Sequence, residues 1–133
     1  MIVDGFPRRH LQSWTPGQAL PTRVLGLPGW RVWLACRDGE PAAAGYTHDD
    51  GTVVGVYWLS TLPHRRGVGL GRAVMTAMLA AHPGRTVTLV ATEAGVPLYT
   101  SLGFAAVSTA AWYVYPPIGS VGGPRAGERS IAG

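Results

Sequence analysis

Pro63-His64-Arg65-Arg66-Gly67-Val68-Gly69-Leu70-Gly71-Arg72 is the stretch on which the reading of this chain turns. Three glycines on alternate positions separate a β-like hydrophobic run from an apolar, helix-like one. Gly67, Gly69 and Gly71 have no Cβ, so the backbone can curl tightly and come close to a ligand. A helix that follows such a turn presents its unpaired N–H groups and its positive dipole end at the same place. That combination suits phosphate. Arg65, Arg66 and Arg72 add fixed cations able to grip phosphate oxygens. A P-loop would continue as Gly-Lys-Ser/Thr, but Arg72 and Ala73 follow here. A dinucleotide fingerprint spaces its glycines as G-x-G-x-x-G and needs a ribose-binding acid about 20 residues on. This loop is G-x-G-x-G, and Glu93 is the one acid near that distance.

Outward from the loop, the chain alternates clear elements with turn signals. Residues 31–37 read as a strand, and Asp38-Gly39 as a hairpin turn. Residues 41–47, rich in small side chains, return as a close-packed strand. Asp49-Asp50-Gly51 is the next turn, and residues 52–60 form the most strand-like run, with Gly55 as a candidate bulge. Three antiparallel strands thus feed the glycine loop. After it, residues 72–81 read as a helix with Val74, Met75, Met78 and Leu79 on one face. Residues 86–91 are a strand and 95–102 a short helix, opened by Pro97 and stopped by Gly103. Residues 104–107 and 111–115 are the last two strand candidates. The expected organisation is an irregular segment over 1–29, a folded domain over 30–115 and a disordered tail over 116–133.

The 133 residues suit one domain, and 47% hydrophobic with 14% charged residues indicates a globular chain. No run approaches the roughly 20 apolar residues of a membrane span, and the first residues do not read as a secretory signal. The single cysteine, Cys36, excludes an internal disulfide framework, so a cytoplasmic home is the default. All 11 basic residues are arginine, giving a formal charge of +4. They are scattered apart from Arg65, Arg66 and Arg72, so the charge does not describe a nucleic-acid surface. His10, His48, His64 and His82 lack metal-ligand spacing. Cys36 alternates with Val32 and Leu34 and reads as a small buried hydrophobe. Trp33 and Trp58 are candidates to line an acceptor pocket.

Pro63, Arg66, Gly69 and Gly71, read as Arg-x-x-Gly-x-Gly with an upstream proline, resemble the pyrophosphate loop of the GNAT superfamily of acyl-CoA-dependent N-acyltransferases. Leu98-Tyr99-Thr100-Ser101-Leu102-Gly103-Phe104 resembles the family's Leu-Tyr-x-x-Leu-Gly-Phe, in the right order and at the right distance. The resemblance covers residues 30–115. It implies an α/β (α+β) fold: a GNAT-like mixed, mostly antiparallel sheet flanked by helices, here with a shortened N-terminal region. It implies acetyl-CoA as cosubstrate, no metal, and an amine acceptor, by direct attack of the amine on the thioester.

Carried onto this sequence, Leu59, Ser60 and Thr61 match the strand end whose main chain bonds the pantetheine arm. Arg66, Gly67, Val68, Gly69, Leu70, Gly71 and Arg72 match the pyrophosphate loop. Thr92 stands where many members have Asn, within reach of the pantetheine, and Tyr99 matches the tyrosine beside the CoA sulfur, a candidate general acid. The expected general base has no counterpart: the strands over 52–60 and 86–91 hold no carboxylate, and Glu93, His48, Asp49 and Asp50 do not single themselves out. No nucleic-acid or membrane partner is expected. Alternative readings are a degenerate acyl-CoA-binding regulatory module, and the carboxyl-terminal half of a larger two-domain or homodimer-completed acetyltransferase.

Overall fold

The computed structural model describes residues 20–111, 113 and 129–132, in two compact units, Met1–Thr88 and Leu89–Gly133. In the first unit, β1 (Trp30–Arg37), β2 (Glu40–Asp49) and β3 (Val53–Thr61) form an antiparallel meander, followed by helix α1 (Leu70–Ala80). The β1–β2 turn places both Asp38 (φ 56°) and Gly39 (φ 81°) in the left-handed region. Asp-Gly tolerates that conformation, and its twist matches the flanking strands. At the β2–β3 turn the Asp50 carboxylate accepts the N–H groups of Thr52 and Val53, each at 2.8 Å. Those two bonds to the ionised form hold its carboxyl below the usual range.

The core of this unit lies between the sheet and α1. Ala42, Ala43, Ala44, Val54 and Val56 are buried on the sheet, as are Val74, Met75 and Met78 on the helix. Gly45 sets how closely they approach: a Cβ there would stand 3.0 Å from Met78 Cε and 3.1 Å from Leu59 Cα. Gly45, Thr47 and Asp49 therefore share the α1 side of β2, and Tyr46 and His48 the opposite side. Trp33, paired with Gly45, donates its indole N–H to the fully buried Thr47 hydroxyl at 3.0 Å.

Asp49 fastens the far end of the helix. Its Oδ1 accepts the Gly51 N–H at 2.8 Å and an Arg85 guanidinium N–H, and its Oδ2 lies 3.7 Å from His82 Nδ1. His48 and Asp49 thus end strand β2 and are not turn residues.

In the second unit, β4 (Thr86–Ala91, begun in the first), helix α2 (Val96–Ser101), β5 (Ser108–Ala111) and β6 (Arg129–Ala132) follow in order. β6 pairs antiparallel with β4 through Val90↔Ala132 and Ala91↔Ile131, and with β5 through Ser108↔Ala132 to Ala111↔Arg129. The α/β class and the mostly antiparallel sheet with helices agree with the sequence reading.

Four details differ. Residues 104–107 are irregular and β5 begins at Ser108, because the chain leaves α2 through a left-handed Gly103 (φ 92°) and needs several residues to extend. Of the expected strand over 111–115, Ala111 ends β5 and most of the rest lies outside the described residues. Within the expected disordered tail, 116–128 and 133 lie outside them too, but Arg129–Ala132 form a strand, since pairing on both sides satisfies its backbone. Cys36, expected to be buried, is exposed, as is Leu34 (57%) two residues before it, because that end of β1 is open to solvent. Among the described residues no helix is long and apolar enough to cross a membrane.

Asp49→Ala removes the charge-assisted Arg85 bond and the Gly51 turn bond together, so unfolding free energy should fall by about 2–3 kcal/mol. Asp49→Asn, which keeps an acceptor for Gly51, should fall between the two in urea melts.

Candidate functional site

The end of β3 is irregular where the sequence places the acyl donor. Tyr57 pairs with Tyr46 and Ser60 with Ala44, so β3 uses one residue more than β2 over the same span. Trp58 absorbs the extra residue at φ 52°, a left-handed conformation unusual for a bulky side chain. This is a β-bulge, which re-aims the strand that follows it. Gly55, the position the sequence suggested for a bulge, pairs regularly with His48. Beyond the bulge, Leu59 is half-buried, Ser60 is 6% exposed and Thr61 closes the strand.

From Thr61 the backbone turns in three steps. Leu62 N–H donates to the Ala42 carbonyl at 3.0 Å, a short 3-10 helix spans Pro63–Arg65, and Gly67 and Gly69 take φ of 77° and 83°. Gly69 caps α1, accepting the Ala73 N–H at 2.9 Å. Leu70, Gly71 and Arg72 form the first turn of the helix, whose N–H groups have no preceding carbonyl within it. Gly67, Val68 and Gly69 are exposed, so this donor-rich turn faces solvent. Its chemistry is that of an anion cradle.

The loop's arginines divide their work. Arg65 is drawn back to the β1–β2 turn, where its Nη1 donates to Asp38 Oδ2 at 3.1 Å. Arg66 Nε donates to the Thr61 carbonyl at 3.1 Å, stapling the loop to the end of β3. That bond fixes the direction of the planar guanidinium relative to the loop. His64 is exposed.

The second unit holds Thr92 and Tyr99 on either side of Gly95. The Thr92 carbonyl accepts the Gly95 and Val96 N–H groups at 2.8 and 3.2 Å, opening α2. A Cβ on Gly95 would lie 2.9 Å from Tyr99 Cε2 and 3.6 Å from Thr92 Oγ1. Only glycine admits the tyrosine ring there. The ring meets Phe104 edge-on at 5.9 Å, and the Phe104 N–H returns to the Tyr99 carbonyl at 3.1 Å. Burial raises the Tyr99 phenol above its ordinary value, so it stays protonated through neutral pH.

Leu59 to Thr61 and Arg66 to Arg72 therefore form one continuous run in the first unit, and Thr92 and Tyr99 adjoin each other in the second. Of the suggested acceptor tryptophans, Trp33 is committed to Thr47 and to the Arg31 guanidinium, 5.4 Å from its ring centroid. The sequence reading missed the opposite sheet face, where Trp30, Tyr46, His48 and Tyr57 come together. Its signal, aromatics on alternate strand positions, becomes legible only once the register is known. Burial, and after it the neighbouring Tyr57, raises the Tyr46 phenol. Among the described residues no group of three or more His, Cys, Asp or Glu could hold a metal ion.

Residues 28–106 match the family model of an acetyltransferase (GNAT) domain. No curated protein matches the chain. Among solved structures it resembles the ribosomal-protein-S18-alanine N-acetyltransferase of Escherichia coli, with a TM-score of 0.64 and 21% identity over 80% of this chain and 68% of that one. It also resembles Escherichia coli ElaA, with a TM-score of 0.57 and 21% identity over 77% of this chain and 66% of that one. The chain thus spans just under two thirds of ElaA. At these identities the two likenesses speak for the fold.

Gly67→Ala and Gly69→Ala should each cost about 1–2 kcal/mol of stability by urea unfolding, because both positions need a left-handed backbone. No atom stands within 4 Å of either added Cβ, so the cost is conformational and the fold should survive it.

Proposed function

The chain belongs to the GNAT acetyltransferase family, whose members use acetyl-CoA as cosubstrate, and from that premise we propose that it moves the acetyl group to an amine by direct attack. The observation that carries this reading is the bulged end of β3 running straight into a glycine loop that caps α1. The N–H groups at the start of α1 and the Arg66 guanidinium would hold the pyrophosphate, with Arg72 beside them. Main-chain groups of Leu59, Ser60 and Thr61 would bond the pantetheine arm, with Thr92 as a further contact. The thioester supplies an activated acyl carbon.

An N–H near Leu59 or Ser60, re-aimed by the bulge, would meet the oxygen on which charge develops. Tyr99 is the proposed proton donor to the departing sulfur. Thiols titrate near about 8.5 and phenols near about 10, an uphill transfer of about 2 kcal/mol. Burial of Tyr99 steepens it, so the donor must gain from positioning what it lacks in acidity. The amine must arrive neutral. Asp49 does not serve as its base, being engaged by Arg85 and His82. The protein would act in the cytoplasm, as a homodimer.

Calorimetric titration with acetyl-CoA tests the loop. The wild-type chain should bind at micromolar concentration and Arg66→Glu should not. A folded wild-type chain that fails to bind would overturn the reading. In turnover assays Tyr99→Phe should lower kcat by about a hundredfold with the KM for acetyl-CoA little changed. An unchanged kcat would assign the proton to water.

A further inference from the structure

The sheet face opposite α1 gathers rings from all three strands of the first unit. Tyr46 and Tyr57 stack with centroids 5.3 Å apart and 21° between planes. Trp30 tilts onto Tyr46 at 5.1 Å and onto His48 at 4.9 Å. Tyr57 is 44% exposed although it sits in mid-strand, so the cluster keeps π surface that the core does not use. Gly55 sets its posture. A Cβ there would run into the Tyr57 hydroxyl and come within 2.6 Å of Cε2 and Cζ. The ring therefore folds back along its own strand above Gly55.

Charge narrows what such a face can bind. The strands of this unit carry two carboxylates, Glu40 and Asp49. Glu40 stands at the hairpin end, paired in register with Arg37. Asp49 points to the α1 side and is ion-paired there. Arg31 also lies on that side, over Trp33. Asp50, in the turn beside His48, is held by the Thr52 and Val53 N–H groups; among the described strand residues the aromatic face itself offers neither a carboxylate for a polycationic acceptor nor a guanidinium for an acidic one. It offers ring faces, whose negative quadrupole attracts both the edge of another ring and an ammonium group. Tyr57 is also the last residue before the bulge, on the strand that continues into Leu59, Ser60 and Thr61.

We infer that the Trp30–Tyr46–Tyr57 face is the acceptor subsite and that it takes an arylalkyl primary amine. The acceptor ring packs against Tyr57 and its amine points along β3 toward the acyl carbon. This inference rests on the reading of residues 59–72 as the acetyl-CoA site.

The test compares acetylation of 2-phenylethylamine with that of 2-cyclohexylethylamine, which has the same chain length and bulk without a π system. The wild-type chain should favour the aryl amine in kcat/KM by about three- to tenfold, the size of one aromatic pair. Tyr57→Phe should keep the preference. Tyr57→Leu should abolish it, as should Gly55→Ala, which displaces the ring without removing it. The KM for acetyl-CoA should stay constant across the set, and thermal melts establish that each variant is folded. Should Tyr57→Leu fail to fold, the wild-type ratio and Gly55→Ala decide the matter.

A ratio near one in the wild type, or a preference that survives in Tyr57→Leu or Gly55→Ala, overturns the inference while the acetyl-CoA site stands. Acetyl-CoA binding with neither amine acetylated does the same. Failure to bind acetyl-CoA overturns both.

Discussion

The contact between Met78 and the bare backbone of Gly45 governs the geometry of the first unit. Helix α1 can settle onto β2 because residues 42–45 of that strand are Ala, Ala, Ala and Gly, and a larger residue at position 45 would lift it. Leu59 crosses the same glycine from β3. One missing Cβ therefore leaves room for both the Met78 side chain and the backbone of the bulged strand. The helix start and the strand end belong to the proposed cofactor site, so packing in the core and placement of the donor groups are one problem. Cores transmit such shifts because they are close-packed. Asp49 completes the arrangement by holding the far end of α1 through His82 and Arg85.

The loop shows how a cluster of like charges is partitioned by its surroundings. Arg65 and Arg66 are neighbours in sequence, yet the first is drawn back to Asp38 and the second is bonded to the Thr61 carbonyl. Two adjacent guanidinium groups aimed at one spot would repel each other before a ligand arrived. Pulling one of them back lowers that repulsion and leaves the other a defined orientation. The Asp38 bond is largely exposed and contributes little to stability. Its effect is on where the loop's charge lies.

The two faces of the meander have diverged by the alternation of side chains. One face is apolar and small, closed by α1, with its buried Thr47 hydroxyl satisfied by Trp33. The other carries stacked rings that remain partly open to solvent. Gly45 and Gly55 mark the two faces in the same way, each where something lies directly on the strand: a methionine in one case, a tyrosine ring in the other.

How much of this was legible depends on the range of the interactions. The glycine loop, the Asp-Gly hairpin, the helix over α1 and the Pro97–Gly103 helix are written in residues a few positions apart, where backbone sterics and capping act locally. The sequence alone therefore determined the fold class, the family resemblance and the positions of the loop residues. It misplaced the bulge at Gly55 because a glycine in a strand can signal a bulge or a close approach. The register shift against Ala44 and Tyr46 chose Trp58 instead. It suggested a buried Cys36 by alternation with Leu34, but both stand at an end of β1 that no other element covers enough to bury them. It gave Arg66–Thr61 and Arg65–Asp38 no partners, and it could not see β6, a short strand whose pairing with Val90 and Ala91 spans a long stretch of chain. Strand pairing, and with it the aromatic face, was decided only by the tertiary structure. Which residues stand opposite one another across a sheet depends on register, and one residue of slip moves every side chain to the other side.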